Sequence, residues 1–136
     1  MAQIHRETAP ASGWIGMVVF GGIMMIVVGT FQVMAGLVGI FNDSYWLVPS
    51  ENLVVSVDYT AWGWAHLLIG IAAIAVGAGI FSGATWAIVG GVVLASLSAL
   101  VNLAFLAAYP VWSVMIIVLN VLVIYALVAH GEELRE

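Results

Sequence analysis

The sequence predicts an all-α membrane protein, a four-transmembrane-helix bundle with a short outer β-hairpin between helices 1 and 2. Three observations predict it. Of 136 residues, 65% are hydrophobic and 7% charged, whereas a soluble domain carries about a quarter charged residues to cover its surface. Four stretches, Trp14 to Phe41, Trp62 to Phe81, Trp86 to Ala108 and Val111 to Ala129, contain no Asp, Glu, Lys or Arg. Each is near or above the ~20 apolar residues that cross about 30 Å of hydrocarbon. Tryptophans stand at the edges of these stretches, as interfacial aromatic belts require: Trp14 and Trp86 on one side, Trp62, Trp64 and Trp112 on the other.

The elements follow in chain order as one four-pass domain over 1–136. The first 13 residues hold a single Arg and precede an apolar run about twice the length of a signal-peptide core, so a cleaved signal is not expected. The first span, 14–41, exceeds the bilayer thickness and is expected to tilt or project. An outer loop over 42–61 follows. Within it, Tyr45-Trp46-Leu47-Val48 and Leu53-Val54-Val55-Ser56-Val57 are rich in β-branched and aromatic residues around the turn-forming Pro49-Ser50-Glu51-Asn52, the composition of a small hairpin. Two strands alone are marginal in water, so Trp46 is expected to anchor the hairpin on the helix ends, and Tyr45 and Trp46 form a candidate partner surface. Span two, 62–81, is joined to span three, 86–108, by a short inner turn containing Gly83. Tyr109-Pro110 makes a tight outer turn, because Pro stops one helix and starts the next, and span four covers 111–129.

Orientation rests on two cations. Arg6 precedes the first span and Arg135 follows the fourth; cationic residues stay on the cytoplasmic side, so both termini are placed in the cytoplasm. The same scarcity of cations excludes nucleic acid, whose phosphates need several Lys and Arg. The absence of Cys excludes disulfides, thiolate metal sites and cysteine nucleophiles. No carboxylate or cation lies in a span, which argues against ion-coupled transport, and no H-E-x-x-H or G-x-S-x-G string occurs. Neither an enzyme nor a cofactor is expected, and the expected surroundings are the lipid bilayer and a membrane-protein partner or a homo-oligomer.

Helices in lipid associate by close packing and hydrogen bonding. Gly22, Gly29 and Gly36 recur every seven residues in the first span, and Gly63, Gly70 and Gly77 do so in the second. Two turns per repeat places each set on one stripe and implies a left-handed crossing near 20°. Gly91, Ala95, Ser98 and Asn102 follow similar spacing in the third.

The strongly polar residues of the spans are Gln32, His66, Asn102 and Asn120. Gln32 and His66 stand in the same relation to their glycine stripes, and Asn102 ends the small-residue stripe of span three. At about 1.5 Å rise per residue all four fall in the outer half. One reading is hydrogen bonding that packs the helices; the other is an outward-open polar pocket with His66 as its titratable member. Both readings use the same residues, and spacing does not separate them. His130 and His5 lie toward the opposite end from His66, so bis-histidine haem is not expected, and no metal site is. Asp43, Glu51 and Asp58 are read as the solvated face of the outer loop rather than a Ca²⁺ site.

The strings Trp62-Gly63-Trp64-Ala65-His66-Leu67-Leu68-Ile69-Gly70, Ser82-Gly83-Ala84-Thr85-Trp86 and Ala108-Tyr109-Pro110-Val111-Trp112-Ser113 resemble an uncharacterised family of small four-helix actinobacterial membrane proteins, a domain of unknown function. The likeness runs from Trp14 to Gly131. Ala84 and Ala87 stand where such proteins often carry Arg. The resemblance implies an actinobacterial plasma-membrane protein and no activity. Taken together, the sequence points first to an accessory or interaction subunit, or a self-associating tetraspan, and alternatively to a small-molecule or lipid binder or facilitator using the outer polar cluster.

Overall fold

The computed structural model describes residues 13–41 and 58–135. These form four helices, α1 (Trp14–Phe41), α2 (Tyr59–Phe81), α3 (Thr85–Ala104) and α4 (Pro110–His130), and a final 3₁₀ turn, Gly131–Arg135. All four helices are long and apolar enough to cross a membrane. The chain is therefore a multi-pass membrane protein in contact with lipid. No strand occurs among the described residues, so the bundle is described without the expected hairpin, whose residues 45–57 lie outside those described.

The helix boundaries correct the expected spans at two places. Helix α2 begins at Tyr59, three residues earlier than Trp62, because the Asp58 carboxylate accepts from the backbone N–H of Thr60 and Ala61 at 3.0 and 3.4 Å and so satisfies two of the amides a helix start leaves open. Helix α3 ends at Ala104 rather than Ala108, and 105–109 form a turn. The Asn102 amide donates to the Ser98 carbonyl at 2.9 Å, competing with the backbone ladder in the last turn. Pro110 then keeps Tyr109 out of the helical region, at φ −135° and ψ 67°. The expected two-residue turn is thus a five-residue one.

Helices α1 and α2 pack along their whole length through the six glycines. Gly22 faces Gly77, Gly29 faces Gly70 and Gly36 faces Gly63. A Cβ on Gly29 would stand 2.7 Å from the Gly70 carbonyl oxygen, and one on Gly36 2.6 Å from that of Gly63. Backbone therefore touches backbone, as small residues permit in lipid, and Cα–H groups meet carbonyl oxygens directly. Helices α3 and α4 form the second antiparallel pair.

The two pairs join at the end of the bundle where α1 begins and α4 ends, here the terminal end. Its buried apolar core comprises Val18, Val76, Ile80, Ala87, Val123, Ala126 and Leu127. Gly91 is its centre: Leu127, Ile80 and Met25 converge there, within 2.8, 3.2 and 3.4 Å of where its Cβ would be. The opposite end, here the loop end, is packed differently. Beyond Ala95 in α3 no residue is buried, and in the loop-end half of α4 only Ser113 is.

Candidate functional site

The heptad register explains why the interior changes character between the two ends. Because the glycine heptads of α1 and α2 stay paired from end to end, every other heptad position on those helices keeps its orientation as well. One heptad, about 10 Å, outward from the layer Met25, Ile80, Gly91 and Leu127, the same four lines carry Gln32, Ala73, Ser98 and Asn120. A further heptad on, α2 carries His66 and α4 carries Ser113, while Asn102 stands seven residues beyond buried Ala95 on α3. An apolar axis at the terminal end thus becomes a polar axis at the loop end. Gln32, His66, Ser98, Asn102 and Asn120 are half-buried, and Ser113 is 1% exposed.

Local structure sets each of these side chains. His66 is held from its own helix: Nδ1–H donates to the Trp62 carbonyl at 2.9 Å, which leaves Nε2 as an acceptor. Its ring stacks on Trp62 at 3.7 Å between centroids. Trp62 in turn lies over Gly39 of α1, where a Cβ would meet its ring at 3.2 Å, so the absence of a side chain at 39 makes the seat for the Trp62–His66 stack. Across the other pair, the Asn120 amide donates to Ser98 Oγ at 3.0 Å and the Asn102 amide to the Ser98 carbonyl. Gln32 makes no side-chain hydrogen bond among the described residues.

Of the four polar residues singled out by sequence, the structure connects Asn102 and Asn120 through Ser98. His66 bonds within α2, and no hydrogen bond joins it or Gln32 to that group. Two members were missed. Ser98 enters the sequence reading only as a small residue in a packing stripe, and Ser113 only as the end of the Ala108–Ser113 string, although it lies seven residues before Asn120 and fourteen before Leu127. The Ser113 hydroxyl is fully buried with no hydrogen-bond partner, a costly arrangement in a medium without water. The candidate partner residues Tyr45 and Trp46 lie outside the described residues. Asp58 serves as a helix cap, and Asp43 and Glu51 lie outside the described residues. No group of three or more His, Cys, Asp or Glu that could hold a metal occurs among the described residues.

The terminal end holds a second polar cluster. His130 Nδ1 pairs with Glu133 at 2.5 Å, its ring is parallel to Trp14 at 5.9 Å, and Tyr125 meets Trp14 edge-on at 4.7 Å. Arg135 bonds Glu132 at 3.0 Å and lies against Gly83, the one described residue with positive φ, +65°. These contacts clamp the last turn across the α2–α3 connection.

No curated protein and no solved structure matches the chain. Residues 17–132 match the family described as Domain of unknown function (DUF7144), and the chain belongs to that family. The match runs from the first turn of α1 into the final 3₁₀ turn, so it takes in both pairs of helices and the whole polar axis.

Proposed function

We propose that the chain is a plasma-membrane binding protein, with both termini cytoplasmic, that holds a small molecule or lipid headgroup in the polar loop-end half of its bundle and performs no chemistry on it. The observation that carries this reading is the buried, unpartnered Ser113 hydroxyl on the same interior line as Asn120. A group of residues serving only to pack helices would satisfy its own hydrogen bonds, since an orphaned hydroxyl in lipid opposes packing. The ligand sites are Gln32, His66, Ser98, Asn102, Asn120 and Ser113. The test is native mass spectrometry of protein gently extracted from its own membrane. A bound mass of a few hundred daltons that is lost in both His66→Ala and Asn102→Leu is expected; parent protein free of any adduct refutes the reading.

A second reading, an accessory or self-associating tetraspan, is supported by a different face. Ala61, Ala65, Ala72 and Ala75 lie exposed along α2 on the side opposite its glycine seam, with Leu68 between them. Lipid-facing positions elsewhere carry bulky side chains such as Phe31, Met34 and Leu100, and small residues are what helix–helix contacts in membranes use. Ala65→Leu with Ala72→Leu is expected to abolish the association of full-length protein in crosslinking at native expression, and an unchanged crosslinked species would remove this reading.

A further inference from the structure

The hydrogen-bond inventory of the loop-end axis defines both its ligand chemistry and its direction of access. Six groups retain capacity, Ser98 among them, because its Oγ accepts from Asn120 and keeps its own O–H. His66 Nε2 is an acceptor, because Nδ1–H is committed to Trp62. Asn102 and Asn120 have each committed one amide N–H and keep the other N–H together with the carbonyl oxygen. The Ser113 hydroxyl is uncommitted, and so is the Gln32 amide. Acceptors and donors are therefore mixed, and no Asp, Glu, Lys or Arg lies within any of the four helices. An anion would find no cation to offset its desolvation, and a cation would find no carboxylate. A hydroxyl group, which donates and accepts at once, matches the set.

One heptad toward the terminal end, the axis is closed. Met25, Ile80 and Leu127 converge on Gly91, and Val18 and Ala87 are fully buried beside them. Nothing polar continues the line past this layer among the described residues of the axis. A molecule entering from the loop end thus meets an apolar floor.

We infer that the loop-end half of the bundle is a blind-ended, hydrated site for an uncharged, hydroxyl-rich group, with Ser113 and His66 in its outer layer, Gln32, Ser98 and Asn120 in its inner layer, and the apolar layer of Met25, Ile80 and Leu127 as its floor. This rests on the binding reading above and narrows it from binder or facilitator to binder. The hydroxyls can come from a free polyol or from a glycolipid headgroup, and the test separates the two.

The chain contains no cysteine, so each single substitution introduces a unique thiol. Full-length Gln32→Cys, Ser113→Cys, Phe31→Cys and Val18→Cys, in phosphatidylcholine nanodiscs, are treated with a cationic methanethiosulfonate reagent that reacts only where water supports a thiolate. Phe31 is 66% exposed toward lipid next to Gln32 in sequence, and Val18 lies in the terminal-end core. Gln32→Cys and Ser113→Cys are expected to react at least 10-fold faster than both controls. Glucose in the buffer slowing them at least threefold identifies a free polyol; slowing only in nanodiscs containing glucosyl diacylglycerol identifies a headgroup. Rates at Gln32→Cys and Ser113→Cys equal to the Phe31→Cys rate overturn the hydrated site, and a Val18→Cys rate equal to that of Gln32→Cys overturns the blind end. Fast reaction that neither sugar slows overturns the hydroxyl class, and a bound mass of another kind in the native protein would then leave the binding reading standing without it. The substitution at Gln32 keeps the test informative if Ser113→Cys fails to fold.

Discussion

Replacing Gly29 by Ala is expected to destabilise the bundle by about 1–2 kcal/mol, against the ordinary gain of a Gly to Ala change in a helix. The added Cβ would lie 2.7 Å from the Gly70 carbonyl oxygen and 3.0 Å from the Ile74 amide nitrogen, where ordinary contact begins at 3.4 Å. Both atoms belong to the backbone of α2 and cannot rotate away, so the helices must separate by several tenths of an ångström along a seam where every heptad is in contact. Overpacking of this kind costs about 1–3 kcal/mol, partly offset by up to about 1 kcal/mol of helix propensity. The seam adds a sharper expectation. Because the cost is separation of two helices, Gly29→Ala with Gly70→Ala should cost less than the sum of the two, since one displacement accommodates both methyl groups. Gly16→Ala, whose Cβ would meet nothing within 4 Å, is the control and should be neutral or slightly stabilising. Unfolding in mixed micelles, followed by tryptophan emission and circular dichroism, measures all four proteins. Equal midpoints for Gly29→Ala and Gly16→Ala, or full additivity of the facing pair, would refute the backbone-contact seam.

Three further outcomes test other parts of the structure. Asn120→Leu removes the bond to Ser98 Oγ and is expected to lower stability by about 0.6 kcal/mol and no more than about 2; a double-mutant cycle with Ser98→Ala should return that coupling, and a null coupling would separate the two residues. Asp58→Ala leaves the Thr60 and Ala61 amides uncapped and should cost about 0.5–2 kcal/mol, with faster hydrogen exchange confined to the first turn of α2. His130→Phe keeps a ring beside Trp14 and Tyr125 while removing the Glu133 pair, so it should be milder than His130→Ala in thermal unfolding; equal losses would show that the ring contacts contribute nothing.

The distribution of apolar residues was enough to define four spans and the solvent they occupy, because about 30 Å of hydrocarbon imposes a length and a composition that few other sequences share. The glycine heptads were equally legible, since a strict seven-residue repeat fixes a stripe without knowledge of its partner. Hydropathy reports the medium around a residue and says little about its backbone, so the apolar turn over 105–108 was read as helix. The polar capping signal at Asp58 was read as a loop acid because the window of apolar residues began at Trp62.

The candidate site was half legible. Gln32, His66, Asn102 and Asn120 announce themselves as amides and an imidazole within lipid, where such groups are costly. Ser98 and Ser113 do not, because a serine in a membrane helix is an ordinary small residue until its surroundings are known. Only the tertiary structure decided that these six positions continue the interior lines of the bundle beyond an apolar floor. That decision belongs to the pairing of Gly22 with Gly77, Gly29 with Gly70 and Gly36 with Gly63, and to the convergence of Met25, Ile80 and Leu127 on Gly91. The sequence of a helix fixes which residues share a face, and the close packing of one helix on another fixes which face is the inside.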